Sequence, residues 1–177
     1  MKKFIKVLFA FTTSILIASS QGVAGELVIK GSTTVLPIAQ KAAEAYMAEN
    51  PDVKISLSGG GSGNGIKAII DGTADIGNAS RFIKQKEVDL AGTKHVYPVP
   101  FRVALDAIVP VVNTKNTLSD ITMAQLRDIY MGKIKDWKEV GGTPGRIVVI
   151  SRDSSSGTFG VWKDLVMKKE RVIPSAL

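Results

Sequence analysis

The 177-residue sequence contains no cysteine, which excludes disulfides, thiol nucleophiles and thiolate metal ligands. It has a single histidine, His95, too few for a histidine-rich metal centre or a histidine relay; the residue reads as a surface or strand-end side chain. Aromatic residues make up only 6% of the chain. The basic residues are scattered rather than interleaved with aromatics in the manner of nucleic-acid binders. No nucleic-acid partner is expected, and the short Lys168-Lys169-Glu170-Arg171 cluster reads as a solvated helix end. The longest apolar run, Val7 to Ala18, is too short for a comfortable membrane span.

What is present is a globular composition, 45% hydrophobic and 22% charged. The N-terminus reads as a cleaved export signal: Lys2, Lys3 and Lys6 precede the apolar run, and Gly22-Val23-Ala24 fits a small-x-small cleavage pattern. Cleavage is expected after Ala24, with no direct membrane insertion afterwards, which predicts a periplasmic or secreted protein. The three leader lysines account for three of the seven net positive charges, which leaves +4 on residues 25–177. That modest charge favours small anions without identifying one.

Strand and helix patterns then alternate. Strands are predicted over Glu26 to Lys30, Val53 to Ser58, Ala74 to Ala79, His95 to Val99 and Ile147 to Ile150. The apolar stretch Val103 to Asn113 reads as a buried parallel strand. Helices are predicted over Val35 to Glu49, Ile66 to Ile70, Ile83 to Leu90, Thr122 to Tyr130 with Thr122 as cap, and Phe159 to Met167. Such alternation defines an α/β fold with a parallel or mixed sheet flanked by helices. In these sheets ligands bind beyond the carboxyl ends of the strands.

Three runs of small hydroxyl and glycine residues fall at those ends: Gly31 to Thr34, Gly59 to Gly65 and Ser154 to Thr158. A helix N-terminus carries unpaired N–H groups and partial positive charge, so each run suits an anion. The glycine run matches neither a dinucleotide fingerprint nor a P-loop nor a nucleophile elbow. It is a permissive turn or an anion loop, with the Ser62 hydroxyl directed into it. Arg152 can grip an oxyanion through two parallel N–H donors, or it can pair with a surface carboxylate. Ser80 and Arg81 place another hydroxyl and guanidinium at a strand end. Trp137 and Trp162 read as packing residues. No catalytic residue, metal ligand set or cofactor is indicated, because no general base accompanies the serines.

In order along the chain, several segments resemble the PstS-type phosphate-binding proteins of ABC importers, within the periplasmic binding protein superfamily. They are Gly31-Ser32-Thr33-Thr34-Val35-Leu36-Pro37, Ser58 to Lys67, Asp75 to Arg81, Leu126 to Trp137 and Arg152 to Phe159. The resemblance implies a type II binding-protein fold of two lobes with mixed sheets flanked by helices. The first lobe would be residues 25–105, without its returning C-terminal segment, and the second, incomplete, residues 106–177. It also implies a phosphate site made by Thr33, Thr34, the Val35 amide, Ser62, Arg152, Ser156, Gly157 and Thr158, to which Ser80 and Arg81 are added on local chemistry. Some relatives place an aspartate after the third strand to accept the phosphate proton; here Ser80-Arg81 holds that place. The expected function is capture of inorganic phosphate for a membrane permease of an ABC importer, without enzymatic activity. Two rivals are a non-transport anion sensor or interaction protein, and an exported serine hydrolase or phosphatase using Ser62 or Ser156.

Overall fold

A computed structural model describes residues 25–177; the expected export signal lies outside them. Three short strands, β1 (Glu26–Gly31), β2 (Lys54–Ser58) and β3 (Ile76–Asn78), form a sheet of order β2-β1-β3. Both pairings are parallel, with Ile29 of β1 aligned to Leu57 on one side and Ile76 on the other. Parallel neighbours require a crossover. Here α1 (Leu36–Glu49) joins β1 to β2 and α2 (Ser62–Ile70) joins β2 to β3. Three further helices follow, α3 (Gln85–Thr93), α4 (Met123–Tyr130) and α5 (Gly157–Leu165), with a 3-10 turn at Trp137–Val140 between the last two.

Local chemistry sets the helix ends. Ser32 Oγ accepts hydrogen bonds from the Thr34 and Val35 amides just before α1, and Pro37 sits in its first turn. At the other end, the Asn50 amide donates to Tyr46 at 2.9 Å, and Pro51 follows. Thr122 caps α4 as expected: its Oγ1 accepts from the Gln125 amide at 3.2 Å while Gln125 Oε1 accepts from the Thr122 amide at 2.9 Å.

Apolar burial falls into two clusters. Ile66, Ile70 and Ala91 close under the sheet-side helices α2 and α3. Leu126, Trp162, Val166 and Met167 hold α4 against α5, with the Tyr130 and Trp162 rings 4.7 Å apart and tilted by 47°.

Several elements differ from the sequence expectation. Helix α2 starts at Ser62 instead of Ile66. Gly61, at φ 98°, turns the chain, and Asn64 Nδ2 donates to the Gly60 carbonyl, so half of the glycine run becomes helix. Strand β3 is only three residues long. Segments 95–99, 103–113 and 147–150 form no strand. Their apolar alternation is real, but a strand also needs a neighbour that continues the ladder, and among the described residues these segments make only isolated backbone hydrogen bonds. The stretch expected to be a buried strand is instead exposed, Leu105 by 86%. Near 147–150 the ordering contacts are single ones: the Ile147 amide donates to Lys135 at 2.8 Å, and Asp136 bridges Arg146.

Candidate functional site

The carboxyl end of the sheet is where the three small-residue runs meet. Gly31 ends β1, and the Ser32 amide donates to the Asn78 carbonyl of β3 at 2.8 Å, which turns the Ser32 side chain inward. Ser62 opens α2 and is fully buried. Ser80 follows β3. Its hydroxyl lies 3.1 Å from Ser32 Oγ and 3.2 Å from Ser62 Oγ, and its amide donates to Ser62 Oγ at 3.0 Å. Three hydroxyls from three strand ends therefore form one hydrogen-bonded group.

The third run closes over this group. The Gly63 amide donates to the Ser155 carbonyl at 2.9 Å, and Ser155 Oγ lies 2.9 Å from the Gly60 carbonyl. Ser156 is buried and caps α5, its Oγ accepting from the Phe159 amide at 3.3 Å. Gly157, the first residue of α5, rests directly on the serines: a Cβ there would collide with both Ser62 Oγ and Ser80 Oγ. Arg152 reaches across to donate from Nη2 to Thr33 Oγ1 at 3.0 Å. Next to it, the Ser155 hydroxyl holds the Asp153 carboxyl below the usual carboxylate range.

The structure thus gathers Thr33, Ser62, Ser80, Arg152, Ser156 and Gly157 at one place. Thr34 is exposed, the Val35 amide is directed at Ser32 Oγ, and Thr158 is half-buried in the first turn of α5. Arg81 stands apart. Its guanidinium forms a fork onto Glu87, with Nη2 2.7 Å from Oε1 and Nη1 2.9 Å from Oε2, and its side chain is only 8% exposed. The fork that could grip an anion is committed to a carboxylate of α3. Ser32 and Ser155 also belong to the cluster; sequence reading quoted them within their runs without giving them a role. Glu87 was missed because it lies six residues from Arg81 across a loop, outside helical spacing.

Burial pushes the Glu87 carboxyl up, but hydrogen bonds from Arg81 and the Lys84 amide, with the charges of both residues, outweigh it and leave Glu87 below the usual range. Such a carboxylate stabilises the fold above its unfolded pKa of about 4.3, and this contribution disappears as pH falls through the lower folded value. Urea unfolding should therefore show Glu87→Gln less stable than the parent at pH 7, with the gap closing in acid. A gap that stays constant down to pH 3 would remove the pair from the stability account.

Taken together, these features define an α/β protein that directs the N-termini of α1, α2 and α5, several hydroxyls and one arginine to a single point at the carboxyl edge of a parallel sheet. Sequence comparison agrees. The family described as the PBP superfamily domain matches residues 17–175, and the chain belongs to that family. The phosphate-binding protein PstS of Bacillus subtilis is 39% identical over 134 residues, 76% of this chain and 43% of that protein. PstS of Staphylococcus saprophyticus is 38% identical over 148 residues, 82% of this chain and 46% of that protein. The chain spans about half the length of the curated relatives it matches. Among solved structures, a candidate phosphate ABC transporter substrate-binding protein with bound phosphate, from Clostridium perfringens, superposes with a TM-score of 0.76 at 36% identity. The match covers 86% of this chain and 61% of that one. An ABC-type phosphate transport receptor from Vibrio cholerae gives a TM-score of 0.68 at 34% identity, over 86% and 62% of the two chains.

Proposed function

We propose that this chain captures inorganic phosphate outside the cytoplasm and delivers it to the permease of an ABC importer. The carrying observation is the meeting of three helix N-termini and the Ser32–Ser62–Ser80 hydroxyl group at one sheet edge, with Arg152 against Thr33. Neutral hydroxyls and amides with one guanidinium bind an oxyanion strongly without activating it for reaction. The names of the B. subtilis and C. perfringens relatives support the same ligand.

In this reading residues 25–105 and 106–177 act as parts of two lobes, in keeping with the two separate apolar clusters. Thr33, Thr34, Val35, Ser62 and Ser80 contact the anion from one side, and Arg152, Ser156, Gly157 and Thr158 from the other. Arg81 serves as a positioning residue through Glu87. Residues 1–24 direct export and are removed. No helix among the described residues is long and apolar enough to cross a membrane.

Calorimetry against phosphate, sulfate and molybdate tests the proposal. Phosphate should bind below millimolar concentration. Ser80 donates as readily as it accepts, so fully ionised sulfate should compete within about tenfold of phosphate. A folded protein that takes up no anion below millimolar concentration would sink the transport reading.

A further inference from the structure

The glycine run from Gly59 to Gly65 matches neither a dinucleotide fingerprint nor a P-loop, and the phosphate reading uses only Ser62 from it. The amides of its glycines are committed within the protein. The Gly61 amide donates to the Gly31 carbonyl at 2.9 Å, the Gly63 amide to the Ser155 carbonyl at 2.9 Å, and the Gly65 amide to the Gly61 carbonyl at 3.2 Å. The Gly60 carbonyl accepts from Asn64 Nδ2 at 2.6 Å and lies 2.9 Å from Ser155 Oγ. Two of these contacts reach one residue, Ser155, from far along the chain. Ser155 is not among the proposed anion contacts, yet it stands between Arg152 and the Ser156-Gly157-Thr158 turn, which are.

The fit is between backbones. A Cβ on Gly61 would lie 2.6 Å from Ser155 Oγ, 2.7 Å from its carbonyl oxygen and 2.8 Å from its carbonyl carbon. A Cβ on Gly63 would lie 3.3 Å from that oxygen and 3.5 Å from Ser155 Cα. Gly61 also holds φ at 98°, where L side chains are rarely found. Glycine is needed there for the turn and again for the approach. On the opposite side Asp153 shapes what is received: its Oδ1 accepts from the Ser155 amide at 2.9 Å, and its carbonyl accepts from the Ser156 amide at 3.1 Å. That turn points the Ser155 carbonyl at α2.

We propose that the glycine run is a seat for Ser155, and that Ser155 is a positioning residue which sets Arg152, Ser156 and Gly157 over the serine hydroxyls without touching the anion. Three residues of chain reach at most about 11 Å, so seating Ser155 confines both Arg152 before it and Gly157 after it. Donors held in place before an anion arrives lose less freedom when it binds. The consequence for affinity rests on the phosphate reading; the seating itself does not.

Gly63 supplies the test. It is the second residue of α2, a position whose amide has no acceptor inside its own helix. Its protection from hydrogen exchange therefore reports the bond to Ser155, with no ligand needed. By NMR, the Gly63 amide of the parent should exchange at least about tenfold more slowly than that of exposed Asn64, the next residue. Gly61→Ala should abolish this protection. Gly60→Ala should keep it: Gly60 has a like backbone strain at φ 122°, but its Cβ would meet only the Asn64 side chain, from 3.5 Å. In calorimetry with inorganic phosphate, Gly61→Ala should raise Kd at least about tenfold relative to Gly60→Ala. An unprotected Gly63 amide in the parent would overturn the proposal whether or not the variants fold. Equal effects of the two alanines on exchange and affinity would overturn it as well. Protection lost only in Gly61→Ala supports the seat even where the parent takes up no phosphate, a result that would remove the phosphate reading alone.

Discussion

Replacing Gly65 by alanine is expected to lower the melting temperature by roughly 4–8 °C, about 2 kcal/mol for a chain of this size. In an unconstrained helix the same change would stabilise by up to about 1 kcal/mol. At Gly65 the added Cβ would lie 2.6 Å from Gly31 Cα, 2.6 Å from the Lys30 carbonyl and 2.9 Å from the Asn78 carbonyl. All three are backbone atoms of the sheet. None can swing aside like the end of a side chain, so α2 must lift from β1 and β3. The overpacking cost, about 3 kcal/mol, exceeds the propensity gain. Gly92 in α3 supplies the control, since a Cβ there meets nothing within 4 Å. Gly92→Ala should be neutral or slightly stabilising by thermal melt. If Gly65→Ala behaves like Gly92→Ala, the close approach of α2 to the sheet is wrong.

Arg152→Ala should weaken phosphate binding by about 30- to 150-fold while leaving the melting temperature of the free protein nearly unchanged. The first expectation follows from loss of a charge-assisted bond, on the order of 2–3 kcal/mol. The second follows from the exposure of Arg152, whose side-chain hydrogen bond is to Thr33. Arg152→Lys keeps the charge but loses the two-pronged donor geometry, and should fall between the two. Titration calorimetry paired with thermal melts separates the cases. Unchanged affinity in Arg152→Ala would make the Arg152–Thr33 contact an ordinary surface bond and remove the guanidinium from the proposed site.

Much of the first α/β unit was legible because its signals are local. Apolar spacing gave α1, and beyond that unit Thr122 gave the start of α4. The meeting of the first two runs was legible too, because strand order confines their loops to one sheet edge, whereas the third run follows a segment that joins no sheet. What local signals could not supply was pairing. Residues 103–113 alternate like a strand, yet whether they join a ladder depends on residues far along the chain. The start of α2 at Ser62 ran against the low helix propensity of Gly63 and Gly65. It is explained by contacts that no window reveals: Gly63 against Ser155, and Gly65 against β1 and β3. The commitment of Arg81 to Glu87 likewise depends on how the loop between β3 and α3 folds back.

The contact between Thr33 and Arg152 spans 119 positions of sequence, whereas Ser62 and Ser80 are 18 apart. Closing the longer loop carries the larger entropic cost and comes late in folding. The Ser32–Ser62–Ser80 group needs only β1, β2, β3 and their crossovers, all made before residue 81 is reached. The segment from Arg152 to Thr158, which covers these three hydroxyls, comes more than 70 residues later in the chain. The order of the chain writes the cradle first and its cover last.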